Sequence, residues 1–397
     1  MHISTKRFYD KPIKNGVIPE ELAYDAFMMF ASRHKHDREI CPAFQESRNE
    51  SHTAYGFHTS ILAVSRKLAS FEELKEQFTH CTGCGACDIR DPNNLLAGDY
   101  YLRTTTNVDL VRKVRHDFLA SGNGYKEWAF VGKHLEEHKR HKTDELTRWA
   151  DGLGLPNKGS TILFVDCLSA LQTPEIPRAT AKLLQAAGIN FGILSEPWDA
   201  GAEAIETGQF EAAEEYARHN AQQLKDAGAK TVVVPDAMAY ETLYLEYPKV
   251  FSSMPFKPIF ATDYLDHLVE DGMLKLEKPV KVRATYHDTC SLNMRTGIWE
   301  TPRRLLRSVP ELELVDEFHI EQWWYCCGNK GGYKQTHPDL SKDLASGRLK
   351  SAADLGVDGM ILGFSPRCSM QFREISKKNP NPKLMELSGI LAESAGI

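Results

Sequence analysis

Between residues 161 and 275, short apolar runs bounded by turn-forming residues alternate with longer segments of helical apolar period. The short runs predict buried strands at 161–165, 190–194 and 231–234. The segments between them predict helices at 177–187 and 209–227. Strands that alternate with helices of this length are typical of a parallel sheet covered by helices on both faces.

The same pattern returns in the last third of the chain. It predicts strands at 280–286 and 359–362 and helical stretches at 303–306 and 340–353. Cys167 follows the first strand of the earlier series much as Cys290 follows the first strand of the later one. We therefore predict an internal duplication into two related α/β units, residues 158–275 and 276–397.

The N-terminal part of the chain is different, because helical period prevails there without short apolar runs. Residues 18–75 and 88–150 predict helices, and the segment 153–160 is rich in turn formers. The predicted fold class is thus α/β, with a mainly helical N-terminal domain over residues 1–150 and two tandem α/β units after it.

Composition narrows the class of protein. The chain has 397 residues, of which 42% are apolar and 26% charged, the balance of a globular protein with a substantial core. Its formal net charge is −6, which argues against a nucleic-acid-binding protein with a basic face. No apolar run approaches the roughly 18 residues that cross a bilayer, and the N-terminal residues lack the apolar stretch of a secretory signal. We expect a cytoplasmic protein.

The cysteines carry the main chemical information. Their number is nine, an odd count that does not suggest a disulfide framework in a chain without a secretory signal. Cys167 is interpreted as a small buried hydrophobic residue. The other eight are predicted metal ligands: Cys41, Cys81, Cys84, Cys87, Cys290, Cys326, Cys327 and Cys368.

A run of three cysteines, Cys81, Cys84 and Cys87, has the spacing of the bacterial ferredoxin motif C-x2-C-x2-C-x3-C-P. Asp91 stands in place of the fourth cysteine and is followed by the expected Pro92. Taken alone, the run is compatible with an aspartate ligand or with a three-iron cluster.

A second, degenerate run changes that interpretation. Cys41 is followed by proline, as the last cysteine of such a motif would be, but positions 31, 34 and 37 hold Ala, His and Asp. In two-cluster ferredoxins the fourth cysteine of each run binds the other cluster. Every missing cysteine, position 91 included, therefore belongs to one cluster, and the other retains Cys41, Cys81, Cys84 and Cys87. We predict one intact [4Fe–4S] cluster in a ferredoxin-like domain, with Asp91 a relic. Zinc is the alternative, since four thiolates also suit Zn²⁺.

The second α/β unit carries three further groups of residues: His287 to Cys290, then Cys326-Cys327-Gly328, then Ser365 to Cys368. This pattern resembles the cysteine-rich CCG domain. The order of a ferredoxin-like helical domain and two CCG domains resembles the heterodisulfide reductase catalytic subunits and their relatives, which include glycerol-3-phosphate and lactate oxidation subunits.

The resemblance implies a second iron–sulfur cluster, cubane or noncubane, held by Cys290, Cys326, Cys327 and Cys368. Ser365 occupies the family's fifth ligand position, where it is a candidate oxygen ligand or leaves an open site. The glycines of the segment 328–332 would let backbone amides approach the sulfurs. His287 is either a residue beside the cluster or an ordinary histidine at a strand end.

The first α/β unit departs further from the family. Its aligned positions are Cys167, Asp199, Ala200, Asp236 and Ala239. One thiol and two carboxylates cannot hold a cluster of this type. A divalent cation on the two aspartates is conceivable, but solvated loop carboxylates are the favoured interpretation.

The sequence shows no G-x-G-x-x-G run after a strand and no phosphate-binding Gly-Lys-Ser/Thr loop. We therefore predict an electron-transfer subunit without catalytic residues of its own. Within the family the chain is most similar to the iron–sulfur electron-transfer subunit of class II benzoyl-coenzyme A reductase complexes of anaerobic aromatic degradation. That resemblance implies as partners a flavin-containing, heterodisulfide-reductase-A-like iron–sulfur protein, other iron–sulfur subunits and a tungsten-pterin catalytic subunit.

Two alternatives remain open at this point. One is a catalytic subunit that acts on heterodisulfides or hydroxy acids at the second CCG site. The other is a scaffold subunit whose CCG site binds zinc.

Overall fold

A computed structural model describes residues 40–89, 106–122, 124–129, 133, 143–315, 326–377 and 380–397. Positions 31, 34 and 37, together with Asp91 and Pro92, lie outside these ranges. So do the predicted helical start near residue 18 and part of the helical region predicted over 88–150.

Eight strands form two separate four-stranded sheets in the described part of the chain. The first sheet contains β1 (Thr161–Leu163), β2 (Gly192–Ile193), β3 (Thr231–Val234) and β4 (Lys257–Phe260). The second contains β5 (Val282–His287), β6 (Leu312–Leu314), β7 (Gly359–Leu362) and β8 (Lys383–Glu386). All strand pairs are parallel, and the orders β2-β1-β3-β4 and β6-β5-β7-β8 are equivalent.

The helices surround these sheets and form the N-terminal region. In chain order they are α1 (Pro42–Ser47), α2 (Ala54–Ser65), α3 (Phe71–Leu74), α4 (Ala86–Ile89), α5 (Asn107–Ala120), α6 (Thr143–Thr147), α7 (Cys167–Gln172), α8 (Glu175–Ala186), α9 (Ala202–Glu206), α10 (Phe210–Asp226), α11 (Ala237–Glu241), α12 (Tyr247–Val250), α13 (Ala261–Glu270), α14 (Cys290–Thr296), α15 (Glu300–Arg307), α16 (Tyr333–Thr336), α17 (Pro338–Asp354), α18 (Pro366–Ser376) and α19 (Leu387–Ala395). Short 3-10 turns span Glu50–His52, Lys75–Thr79, Lys126–Trp128 and Arg148–Ala150, and a π-helical turn spans Thr242–Glu246.

The predicted fold class is confirmed, and the predicted strands and helices lie close to the observed ones. Strands 231–234 and 359–362 have the predicted bounds. The sequence prediction missed β4, β6 and β8, which all lie at sheet edges. Polar residues or proline interrupt each of them, since β4 contains Lys257 and Pro258, β6 contains Glu313, and β8 begins at Lys383 and ends at Glu386. None therefore has the continuous apolar run of a central strand.

Local sequence explains how α5 is fixed next to the cysteine loop. Thr106 caps its first turn and forms a reciprocal capping box with Asp109. Valines and leucine on one face are buried in the N-terminal core, together with Phe57, Phe78 and Phe118. The helix is therefore held both by its cap and by an apolar stripe of helical period.

The two α/β units share one hydrophobic core. It contains the buried strand residues of the first sheet, such as Val232 and Val233, and also Leu305 and Leu391 of the second half. Helix α8 packs against the C-terminal helix α19, which extends the second unit over the first. The relative position of the two sheets is thus set by continuous apolar packing.

The order of strands reverses between β1 and β3 and again between β5 and β7. In open α/β sheets, ligands bind at the carboxyl ends of strands beside such a reversal. The residues after β1 and β3, and after β5 and β7, are therefore the first place to look for a site.

No helix in the described ranges combines the length and apolar character needed to span a membrane.

Candidate metal centres

The C-terminal cysteines lie at the predicted edge of the second sheet. Cys290 begins α14, three residues after β5 ends, and Cys368 lies in the first turn of α18, after β7. Cys326 and Cys327 come from the loop before α16. All four side chains are buried. Parallel pairing of β5 with β7 brings together residues that are far apart in the sequence.

The four thiols form a continuous chain of contacts. The sulfurs of Cys368 and Cys327 are 3.2 Å apart. Cys326 lies between Cys327 and Cys290 and forms sulfur hydrogen bonds with both. The hydrogen bond to Cys326, and then burial, raise the pKa of the Cys290 thiol well above its usual value. The predicted residues therefore meet in one place.

Backbone amides do approach sulfur, but not at every predicted glycine. The amide of Gly328 donates to the sulfur of Cys326 at 3.3 Å, and that of Gly83 donates to the sulfur of Cys81 at 3.4 Å. Gly331 and Gly332 have another role, because both adopt positive φ and allow close packing on the N-terminal region. A Cβ on Gly331 would lie 2.8 Å from the carbonyl oxygen of Cys81.

Two other predicted residues are buried beside this set. The hydroxyl of Ser365 caps α18 by accepting the amide of Cys368 at 3.4 Å. His287 packs edge-on against Phe372 at a ring distance of 4.7 Å. Burial, and then the nearby Arg348 guanidinium, hold the pKa of His287 well below its usual value, so its imidazole is neutral.

The N-terminal cysteines form the second set. Cys41 precedes α1, Cys81 and Cys84 lie in the loop before α4, and Cys87 lies within α4. Burial raises the pKa of the Cys41 thiol to about 12, with further contributions from neighbouring Cys84 and Cys81. Burial likewise raises the pKa of Cys84 to about 12, and the next largest cause is Cys290.

The two cysteine sets adjoin each other. Cys84 of the first set and Cys290 of the second belong to one buried apolar cluster, which also contains Ile40 and Ala86. Helix α4 contacts α14 directly. A centre held by one set would therefore lie next to a centre held by the other, without an intervening layer of protein.

Arg115 of α5 joins the N-terminal loop to both α/β units. Its guanidinium is fully buried and donates to the carbonyl oxygens of Phe78, Cys81, Glu206 and Gly331 at distances of 2.7–2.9 Å. Backbone carbonyls from three regions are satisfied by one planar cation, which fixes the cysteine loop against both units.

A buried ion network lies at the same three-way junction. Arg112 of α5 pairs with Glu206, with Glu241 at 3.2 Å and with Glu246 at 2.9 Å. From the second unit, Arg295 approaches Glu241 at 3.0 Å and Lys330 approaches the same carboxylate at 2.6 Å. The pairs hold the pKa of Glu241 down to about 2 despite burial. This network was not predicted, although Arg112 and Arg115 on the apolar face of a helix are a sequence signal of buried cations.

Three histidines stack beside the N-terminal set. The ring centroids of His52 and His80 are 3.4 Å apart, and those of His80 and His337 are 3.7 Å apart. Burial and the neighbouring imidazoles lower the pKa of His80 to about 3, so the stack is uncharged at neutral pH. His337 and Thr79 line a surface cavity of about 350 Å³. His80, the middle ring of the stack, directly precedes Cys81, so the stack extends from this cavity to the cysteine loop.

In the first unit, the corresponding edge of the sheet contains Cys167 after β1 and Asp236 after β3. Solvated loop carboxylates were expected there, and for Asp236 that expectation is wrong. Its side chain is 3% exposed and caps α11 by accepting the amides of Met238 and Ala239. Asp199 is partly buried and accepts the amide of Gly201 at 2.7 Å.

A cation from the second unit compensates these carboxylates. Arg367, next to the ligand candidate Cys368, pairs with Glu203 at 3.0 Å. Glu203, then Asp199 and Asp236, raise the pKa of Arg367 further above its usual value despite burial. A charge-paired guanidinium therefore fills the carboxyl edge of the first sheet. Cys167 at the same edge is 2% exposed, as expected of a buried apolar residue.

The donor types in both sets fit an iron–sulfur cluster. Each set offers four thiols at a loop or helix start, with a backbone amide that donates to one sulfur. Four thiolates are the donors that such clusters use, and they also suit Zn²⁺. No group of three or more His, Cys, Asp or Glu side chains in the described ranges is arranged to hold a single metal ion.

Comparisons with known proteins agree with this arrangement. Residues 161–240 and 284–373 match the family described as "Cysteine-rich domain" (CCG). The chain is 27% identical over 332 residues to the D subunit of the dihydromethanophenazine:CoB--CoM heterodisulfide reductase of Methanosarcina barkeri, which covers 81% of this chain and 78% of that protein. It is also 27% identical over 345 residues to the B subunit of the fumarate reductase (CoM/CoB) of Methanothermobacter marburgensis, and that match covers 85% of this chain and 66% of the other protein.

Among solved structures, the crystal structure of a hypothetical protein from Helicobacter pylori is similar with a TM-score of 0.58. The match covers 99% of this chain and 80% of the other at 13% identity, so it bears on the fold alone. Residues 161–240 and 284–373 thus match the CCG domain, and the chain is similar in sequence to the D subunit of heterodisulfide reductase.

Proposed function

We propose that this pair of CCG units, with its N-terminal helical domain over residues 1–150, is an iron–sulfur electron-transfer subunit of a multisubunit oxidoreductase. One cluster would be bound by Cys41, Cys81, Cys84 and Cys87 and the other by Cys290, Cys326, Cys327 and Cys368, with Ser365 as a further candidate oxygen ligand. Such clusters accept and release single electrons. Homology to subunits of heterodisulfide and fumarate reductases supports the assignment.

The observation that carries the proposal is the contact between the two cysteine sets. Cys84 and Cys290 share one buried apolar cluster, so the two predicted centres adjoin inside a single chain. Arg115 and the ion network around Glu241 hold the loops that bear both sets in a fixed relation. On this proposal the chain's own residues position two redox centres, exclude water and supply charge, as an electron-transfer subunit requires.

We also propose the finer assignment to a class II benzoyl-coenzyme A reductase complex in the cytoplasm. On this proposal the partners are a flavin-containing, heterodisulfide-reductase-A-like protein, other iron–sulfur subunits and a tungsten-pterin catalytic subunit. The flavin, the tungsten and the thioester substrate would all be bound by those other chains. Co-purification of these subunits with the tagged chain from a native source would test it, and stable recovery with a different set of redox subunits would contradict it.

The relay itself is tested by anaerobic purification with iron and sulfide counting and electron paramagnetic resonance (EPR). We expect two distinct EPR signals, of which Cys41→Ser loses one and Cys368→Ser the other. Cys167→Ser is the matched control and retains both, and Asp91→Ala leaves the N-terminal signal unchanged. Circular dichroism verifies that each variant is folded.

Several outcomes would overturn these assignments. A colourless preparation with only trace iron would contradict both centres, and zinc without sulfide at the C-terminal site would favour a scaffold. Turnover of a heterodisulfide or a hydroxy acid by the isolated chain would show a catalytic subunit. A changed N-terminal signal in Asp91→Ala would contradict the interpretation of Asp91 as a relic.

A further inference from the structure

A buried lysine lies in the loop that supplies the paired cysteines. Lys330 follows Cys327 by three residues and is only 4% exposed. Its ammonium is 2.6 Å from one carboxylate oxygen of Glu241 and 3.6 Å from Glu206. A lysine at this depth is uncommon unless it is paired, so its charge is held by these acidic partners.

Both members of the Lys330–Glu241 pair lie beside the C-terminal cysteines. Burial opposes the charge of Lys330, but Glu241 and Glu206 outweigh burial and raise the pKa of Lys330. Glu241 also pairs at 3.0 Å with Arg295 of α14, the helix that begins at Cys290, so the Lys330–Glu241 pair joins the loop of Cys326 and Cys327 to that helix. Two charges of opposite sign therefore lie beside the predicted cluster ligands.

We propose that Lys330 and Glu241 are positioning residues that set the reduction potential of the C-terminal centre in opposite directions. Lys330 raises the potential and Glu241 lowers it. The proposal rests on the proposed function, because it requires a cluster bound by the four C-terminal cysteines.

The physical reason is the change in charge upon reduction. One electron, supplied by an external donor, converts the oxidised centre to a reduced centre that carries one more negative charge. A buried cation stabilises the added charge and a buried anion destabilises it, with little screening by salt or water. Net charge near a cluster is among the main determinants of its potential.

Lys330 belongs to the C-terminal centre in particular. The N-terminal set has its own buried cation, since Arg115 donates to the carbonyl of Cys81 at 2.7 Å and lowers the pKa of the Cys81 thiol against the effect of burial. Lys330, by contrast, lies in the loop of Cys326 and Cys327 and pairs with Glu241. Substitution of Lys330 should consequently affect one potential more than the other.

The test is a potentiometric titration of the full chain with dithionite, monitored by EPR. We expect Lys330→Gln to lower the midpoint potential of the C-terminal centre by at least 59 mV, which corresponds to a tenfold change in the equilibrium constant of a one-electron reduction. Glu241→Gln should raise that potential, and the double variant should return toward the wild-type value. Lys330→Arg retains the charge and should stay close to wild type.

Lys334→Gln is the matched control. Lys334 lies four residues further on and pairs at 2.6 Å with Glu374, where both side chains are more exposed to water. Its substitution should leave both potentials unchanged.

A structural role for Lys330 predicts a different result. Disturbed packing would broaden the EPR signal or move the potential in the same direction in both single variants. Such a result, or unchanged potentials with both signals intact, would overturn the proposal. Absence of iron and sulfide from the wild-type C-terminal site would instead overturn the proposed function. If Lys330→Gln does not accumulate as folded protein, Glu241→Gln decides, because it must raise the potential.

Discussion

Glycines show most clearly how single residues fit the N-terminal region onto the second α/β unit. Gly332 has φ of 69°, and its carbonyl accepts the indole N–H of Trp128 at 3.0 Å. Its neighbour Gly331 lies against the backbone of Cys81 and Thr82. At both positions a side chain would collide with the N-terminal region. The absence of a Cβ is therefore a requirement of domain contact at these two positions.

Gly332→Ala should destabilise the protein by about 2–4 kcal/mol, because of the positive φ and because the new Cβ would meet Trp128. Gly347→Ala is the control, since Gly347 lies on the exposed face of α17 with open space around it. Alanine there should be neutral or stabilise by up to about 1 kcal/mol. Urea unfolding of the holoprotein measures both, and equal effects of the two substitutions would contradict the prediction.

Among the elements, α5 has the widest influence. Its apolar stripe packs into the N-terminal core, while two arginines on the same helix reach into the two α/β units. Arg112 is 3% exposed and Arg115 is 1% exposed, so neither charge is solvated by water. Their partners are carbonyls and carboxylates from both units, which means that the docking of α5 and the position of the cysteine loop are coupled.

Removal of one charge from this network should be costly. Arg112→Met should reduce the free energy of unfolding by about 3–5 kcal/mol, because it removes the cation that Glu206, Glu241 and Glu246 share and leaves the buried network with one positive charge fewer. Arg218→Met removes an exposed pair with Glu214 on α10 and should change the free energy by less than about 1 kcal/mol. Urea denaturation compares the two, and a loss below about 1 kcal/mol for Arg112→Met would be inconsistent with the network.

At the scale of the whole molecule, the duplication has produced two units with different contents. The sheets have the same strand order, yet one carboxyl edge holds four cysteines and the other holds Cys167 with capped, charge-paired aspartates. Arg367 connects the two edges, because it is adjacent to Cys368 in sequence and pairs with Glu203 of the first unit. The first unit therefore packs against the second within one shared hydrophobic core and pairs with its buried cation Arg367.

Iron removal should loosen the cysteine loops selectively. Anaerobic chelation leaves two sets of thiols without the bonds that hold them, and metal binding is coupled to folding. Amide hydrogen exchange should become faster at residues 81–87 and 326–332, while β3 at Thr231–Val234 stays protected by the core. Unchanged exchange at both loops after complete iron loss would contradict the assignment of these cysteines as ligands.

Periodicity was enough to indicate the fold class. The spacing of the N-terminal cysteines indicated one cysteine set, and the resemblance to the CCG domain implied the other. The strands at 231–234 and 359–362 are continuous apolar runs, and such runs have few alternatives to a buried parallel strand. The spacing of Cys81, Cys84 and Cys87 is local, so the sequence shows it without knowledge of distant contacts. The short edge strands and the caps at Asp236 and Ser365 were not predicted, because they depend on which neighbour is available.

By itself the sequence determined the pattern of strands and helices, the duplication and the eight candidate ligands in two groups of four. Only the tertiary structure decided that the two groups adjoin through Cys84 and Cys290 and that Lys330, Glu241, Arg112 and Arg115 surround them. The reason is physical. Local spacing fixes which residues share a loop or a helix face, whereas contact between distant loops and pairing of buried charges arise only when the shared core brings three regions of the chain together.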